Sequence, residues 1–319
     1  MLTVYTRAKQ GVWGSGDENG ALNHITEATI LSAAQSEIRT GVAINLNLEL
    51  DIPDPPVNPS RKPLSHLFQP GDGYTDDVLV MNTQISTQLD GLRHFPYSDD
   101  GDTQSYQFYN DLIPTYEDII GPTPSTVLGI QTAARKGIAG RGILLDWARW
   151  MDARNEEIDA FSTQHISAAD LDAVAAWQGL TGQWTQPGDM LFVRTGWVRQ
   201  YQALNKTEQQ TLPYGPGNWV GVIANDATAG WLWEKKLALV GGDNPAFEAT
   251  PFVGDIDGST RSLHQVLLAG WGQSIVEFLD LEALSEKLHK SERSTFFLTI
   301  QALNVVSGIA SPPNAMAIL

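Results

Sequence analysis

Apolar and polar residues alternate strictly from Gly41 to Leu50 (Gly-Val-Ala-Ile-Asn-Leu-Asn-Leu-Glu-Leu), which predicts a half-buried strand. Short apolar runs bounded by turn residues predict further strands. They fall at Val78 to Thr87, where Val78-Leu79-Val80-Met81 is apolar enough to be buried, at Gly142–Asp146, at Gly188–Arg194 and at Leu237–Val240. Ser274–Glu277 reads as extended, and Thr295–Leu303 as a final strand. Helical spacing follows Thr26 and Ser167, each a fitting N-cap, with Asp170 three residues on completing a capping box after Ser167. Asp226–Lys236 and Leu281–Lys290 are further helices, and Leu263–Ala269 is a helical turn. A Gly-rich turn and a helix are expected over Trp13–Asn23. Strands and helices intermix throughout, so the fold class is α/β. No linker divides the 319 residues, and a single domain over 1–319 is expected. The Pro-rich segment 51–63 reads as an ordered loop or a flap over a site.

One stretch departs from simple core patterning. In Gln84-Ile85-Ser86-Thr87-Gln88-Leu89-Asp90-Gly91-Leu92-Arg93-His94-Phe95, the residues Gln84, Ser86, Gln88 and Asp90 share a parity. In an extended chain they point to one side. A strand with one solvated face would show the same alternation. A strand leaving the core and entering a site would also show it, and would carry the amides, carboxylate and imidazole found here.

Composition narrows the partners. Twenty Lys and Arg stand against 37 Asp and Glu, a formal charge of −17, with no basic cluster, so neither nucleic acid nor an anionic membrane surface is expected. The absence of Cys excludes disulfides, thiolate metal sites and Cys nucleophiles. Met1–Arg7 lacks the apolar core of a signal peptide, and no run approaches the roughly 20 apolar residues of a membrane span, so a cytoplasmic protein is expected. There is no Gly-rich phosphate cradle, hence no nucleotide cofactor, and no Ser nucleophile elbow. Ten Trp could pack a core, and some could line a pocket for a flat aromatic ligand, Trp13 among them.

The stretch from Gln84 to His94 resembles the signature H-x-G-T-H-x-D-x-P-x-H of the cyclase family that includes kynurenine formamidase and isatin hydrolase. Thr87, Asp90 and His94 match it. Ser86 replaces the Gly, Leu92 the Pro, and Gln84 and Gln88 stand at the two metal-binding His. Trp13-Gly14 through Leu22-Asn23 is similar to the W-G-x-x-D-E-x-G-x-L-N start of many members. Gly137–Asp146, Gly188–Trp197, Asp243–Glu248 and Ser311–Ala317 are similar to later family blocks.

The resemblance implies a swivelling β/β/α domain, a homodimer or higher homo-oligomer, and one divalent metal, zinc or manganese. The family's distant His and Glu fall at His264 and Glu277, with a gap one residue longer that places an insertion at Ala269–Gly272. Asp90, His264 and Glu277 are then the metal ligands. His94 is the general base with Asp90 beside it, and Gln84, Thr87 and Gln88 orient the substrate. Three functions follow. The first is a metal-assisted hydrolase of an amide, cyclic amide or lactone. The second is a metal-independent cyclase, dehydratase or isomerase of secondary metabolism using His94 and Asp90. The third is a non-catalytic ligand-binding homologue. Arg194 could anchor a substrate carboxylate or form a structural ion pair, and Asp243, Asn244 and Glu248 follow a strand end. Arg93 is expected to point away from His94. His24, His165 and His289 lack a supporting constellation, and His66 could stand at a site entrance.

Overall fold

The structure, a computed structural model, describes residues 12–98, 106–215, 217–251 and 254–319. Met1–Arg7, read above for a targeting signal, lies outside them. Nine strands form one sheet: β1 (Ala43–Asn45), β2 (Gln88–Asp90), β3 (Ile138–Leu145), β4 (Met190–Val193), β5 (Leu239–Gly242), β6 (Ser274–Glu277), β7 (Thr295–Ile300), β8 (Ala310–Ser311) and β9 (Met316–Ile318). Their order is β1-β9-β7-β3-β4-β5-β6-β2-β8. The central four, β3 to β6, are parallel, and every outer pairing is antiparallel.

Successive residues of the central strands bury on opposite faces, as the period of two requires. Ile143, Leu145, Leu191, Val193, Val240 and Ile275 belong to one apolar cluster. Leu144, Met190, Phe192, Leu239 and Val276 belong to the other. Covered on both sides, these strands read as continuous apolar runs, and each buried Leu, Ile or Val contributes about 1.5–3 kcal/mol. Helices on the faces start where their caps predict. Thr26 accepts from Thr29 N, and Ser167 and Asp170 form a reciprocal capping box at the head of Ala168–Trp177. The alternation from Ile44 holds as burial of Ile44, Leu46 and Leu48, although the ladder itself lasts three residues.

Two expectations are corrected. Val78–Met81 does not lead a buried strand into the motif. Thr75–Val80 pairs with Ser65–Pro70 as an isolated hairpin whose Leu67, Phe68, Tyr74, Leu79 and Val80 are exposed. The chain then bends, and only Gln88–Asp90 enters the sheet. An apolar run carries no information about whether anything covers it. The strand at Thr295 is also not the last: β8 and β9 follow, and β9 sits between β7 and β1. Among the described residues no helix is long and apolar enough to cross a membrane.

Candidate active site

The site lies where antiparallel β2 meets the C-terminal end of β6, an end of a parallel array where ligands tend to bind. Pairing sets Gln88 opposite Glu277 and Asp90 opposite Ile275, so Gln88, Asp90 and Glu277 share a face. A side chain on Gly91 would start 2.5 Å from Ile309 O, so only glycine lets β2 leave the sheet here. The chain turns at once, with His94 N donating to Gly91 O at 3.0 Å, and the turn brings His94 Nε2 to 3.8 Å from Asp90 Oδ2.

His264 precedes a π-helical turn, Gln265–Gly270, which accommodates one residue more than an α-helix of equal rise. Past it, Gly272 (φ +66°) packs on Gly20 (φ +54°), and Ala21 N donates to Gly272 O at 2.9 Å. The Trp13–Asn23 block thereby braces the segment carrying His264 rather than entering the site.

At the centre, His264 Nε2 lies 3.0 Å from Glu277 Oε1 and 3.6 Å from Asp90 Oδ2. Its Nδ1 meets both oxygens of Glu248 at 2.9 Å. Gln84 Nε2 donates to Asp90 Oδ1 at 2.7 Å, and Gln88 Nε2 donates to Glu277 Oε2. Each carboxylate thus has one oxygen held by an amide. The other, Asp90 Oδ2 or Glu277 Oε1, is buried and faces only imidazole nitrogens. Asp90, Glu277 and His264 have side chains 0, 3 and 6 % exposed, whereas His94 is 18 % exposed and so forms the wetter wall.

Burial works to raise the pKa of Asp90, but the charge of His94 and contacts with His264 outweigh it and hold the carboxyl below its ordinary value. Glu277 is pushed up to about 7 by burial and by the Asp90 charge, with His264 opposing. Burial lowers His94 against the pull of Asp90. His264 is raised well above an ordinary imidazole because Glu248, Asp90 and Glu277 together overcome its burial.

This donor set fits one divalent cation. Asp90, His94 and His264 present ligand atoms within 4.8 Å of one another, and Glu277 adds its Oε1. Carboxylate oxygens and imidazole nitrogens suit zinc or manganese, and buried carboxylates call for a positive charge, which a cation would supply in place of the His264 proton. The Glu248 contact fixes the His264 tautomer with Nε2 toward the cluster, as an outer carboxylate does for a metal-binding His.

Other sequence-derived candidates fall elsewhere. The Gln84 and Gln88 amides each give one N–H to a carboxylate of the centre. Thr87 Oγ1 donates to Phe278 O at 2.5 Å and accepts from Leu48 N at 2.8 Å, so it ties strands together. Trp13 lines a separate cavity of about 260 Å³ with His24, Trp233 and Trp271, whose walls include none of the four central residues. Arg194 is a structural ion pair. Asp243 accepts from Thr195 N, Thr195 Oγ1 and Gly196 N, and Asn244 binds main-chain carbonyls. Arg93 points away, onto Val127 O and Ser307 O. His66 pairs with Asp77 on the exposed hairpin.

Sequence reasoning gave no role to Arg61, which reaches both Gln84 and Gln88. It ranked Glu248 low, although a carboxylate just past a strand end was the available signal.

The family model described as "Putative cyclase" matches residues 13–249. The chain belongs to the cyclase family. Asp90, His94 and Glu248 lie within the matched span, with His264 and Glu277 beyond it. The crystal structure of a novel cyclase is similar over 98 % of this chain and 99 % of that one, at 29 % identity and a TM-score of 0.82. Isatin hydrolase A from Ralstonia solanacearum (14 % identity, 92 % and 97 % covered, TM-score 0.57) and from Labrenzia aggregata (13 %, 90 % and 96 %, 0.56) share the fold. No curated protein matches. The family and its 29 % identical relative point to an enzyme of the cyclase type.

Proposed function

We propose that this cyclase-family chain is a metal-assisted hydrolase of an amide, cyclic amide or lactone bond in a small aromatic molecule. The observation that carries this reading is the pair of buried carboxylate oxygens, Asp90 Oδ2 and Glu277 Oε1, that converge on His264 Nε2 with only imidazole nitrogens facing them. A divalent cation held by Asp90, His264 and Glu277, with His94 beside it but unligated so that its imidazole can carry a proton, would polarise the substrate carbonyl and acidify water. His94, on the exposed wall, takes a proton from the attacking water as the new C–O bond forms. It then delivers that proton to the departing nitrogen or oxygen as the C–N or C–O bond breaks. Asp90 Oδ2, 3.8 Å from His94 Nε2, stabilises the imidazolium between those steps. Gln84 and Gln88 keep each carboxylate in one rotamer, and Glu248 keeps the Nε2 lone pair of His264 facing inward.

The test is turnover of a lactone and cyclic-amide panel by metal-stripped protein before and after adding zinc or manganese. Activity restored by metal, with a product heavier by one water, is expected. Full activity without metal, or a product of unchanged or water-depleted mass, overturns the hydrolase reading and favours a cyclase or dehydratase. The same reading takes the chain as a homo-oligomer, supported by the exposed apolar side chains of hairpin 65–80, with light scattering as its check.

A further inference from the structure

Arg61 lies in the Pro-rich loop, where an Asn58–Arg61 turn sets its direction: Arg61 N donates to Asn58 O at 3.0 Å, and Asn58 Oδ1 accepts from Ser60. The hairpin returns beside it, with Asn82 N on Lys62 O. Arg61 Nη1 donates to Gln84 O at 2.6 Å and to Gln88 Oε1 at 3.4 Å, and Nη2 donates to Gln84 Oε1 at 3.4 Å. A guanidinium has donors only. Each amide therefore has its oxygen toward Arg61 and its NH₂ toward a carboxylate, and neither can turn its oxygen to the centre without facing N–H against N–H.

We propose that Arg61 is a positioning residue that makes this centre mononuclear: it locks both amides away from metal ligation, and its charge lies against the two amide oxygens that a second cation would need. This rests on the metal-site reading above. Five acceptor-capable side chains, Gln84, Gln88, Asp90, Glu248 and Glu277, surround His264 or its partners. Without Arg61 the two amides could turn over, releasing Asp90 Oδ1 and Glu277 Oε2 and setting their own oxygens beside them, enough hard donors for a second ion. With Arg61 present, a second divalent cation meets both a missing donor set and like-charge repulsion in a poorly screened site.

The experiment is manganese titration of the metal-stripped full chain by calorimetry, with elemental analysis after dialysis, on wild type, Arg61→Ala and Arg61→Lys. Wild type should bind one ion per chain. Arg61→Ala should bind a second, or bind the first about tenfold tighter as repulsion is removed. Arg61→Lys, which keeps the charge, should stay near wild type. Wild type binding one ion with Arg61→Ala unchanged in both affinity and stoichiometry overturns the proposal and leaves the metal-site reading standing. Wild type binding no ion overturns both. Should Arg61→Ala fail to fold, Gln84→His/Gln88→His decides: one ion while Arg61 is in place supports the proposal, and two overturn it.

Discussion

Two buried clusters of acidic residues sit at the C-terminal ends of the parallel strands, and they are finished differently. Beyond β3 and β4, Asp146 and Arg194 pair at 2.8 Å, and Arg194 forks onto both oxygens of Glu282 at 2.7 Å. Ser285 Oγ and Arg149 N complete Asp146, at 2.5 and 3.0 Å. Every carboxylate oxygen there has a donor. Where β2 meets the end of β6, Asp90 and Glu277 each keep one buried oxygen faced only by imidazole nitrogens, and the guanidinium nearby, Arg61, is turned to the amides instead. Those two oxygens mark the second as a site, and the full set of donors marks the first as a lock.

The sharpest way to break this contrast is to remove one group from each cluster. His94→Ala should lower kcat/KM by about 10²–10⁴-fold while leaving thermal unfolding close to wild type, because proton transfer is lost and little packing is. Arg194→Ala should instead destabilise by about 3–5 kcal/mol in denaturant titration, since it leaves buried carboxylates without their cation. If Arg194→Ala spared stability and abolished turnover, the two clusters would have been assigned the wrong way round.

Glu248→Gln probes the outer carboxylate. It should weaken metal affinity by about 10–100-fold in calorimetry with the fold intact. The pH dependence is a finer test. In metal-free protein Glu277 titrates near 7 instead of its ordinary 4.5, raised by burial and then by Asp90, and His264 is raised by its carboxylate neighbours. Both hold protons more tightly folded than unfolded. The His264 contribution to stability is full below its unfolded pKa and is lost as pH rises through the folded one. The neutral Glu277 is likewise favoured below about 4.5, and stability falls as pH rises from there through about 7. Metal binding must displace these protons, so calorimetric affinity should rise with pH across this range.

The sequence carried the framework because its signals are local. Caps at Thr26 and Ser167 need only three or four residues of context, and the alternation from Ile44 to Leu48 needs five. Asp90, His264 and Glu277 could be named because a motif resemblance supplied what periodicity does not. What escaped depends on distance along the chain. That Gln88 would meet Glu277, 189 residues away, and that both amides would face Arg61 are properties of register and loop path. The amides read in sequence as substrate binders, and the structure adds a contact from each to a carboxylate. Val78–Met81 misled for the opposite reason, since its pattern is local and its exposure is not.

The most direct measurement is thermal unfolding of metal-stripped protein with and without saturating zinc or manganese, run beside an Asp90→Asn/Glu277→Gln variant. The account predicts that metal at about 100 times its Kd stabilises wild type by about 2.7 kcal/mol, and that the variant, lacking the ligand charges, does not respond. A wild type that unfolds identically with and without either metal would contradict it.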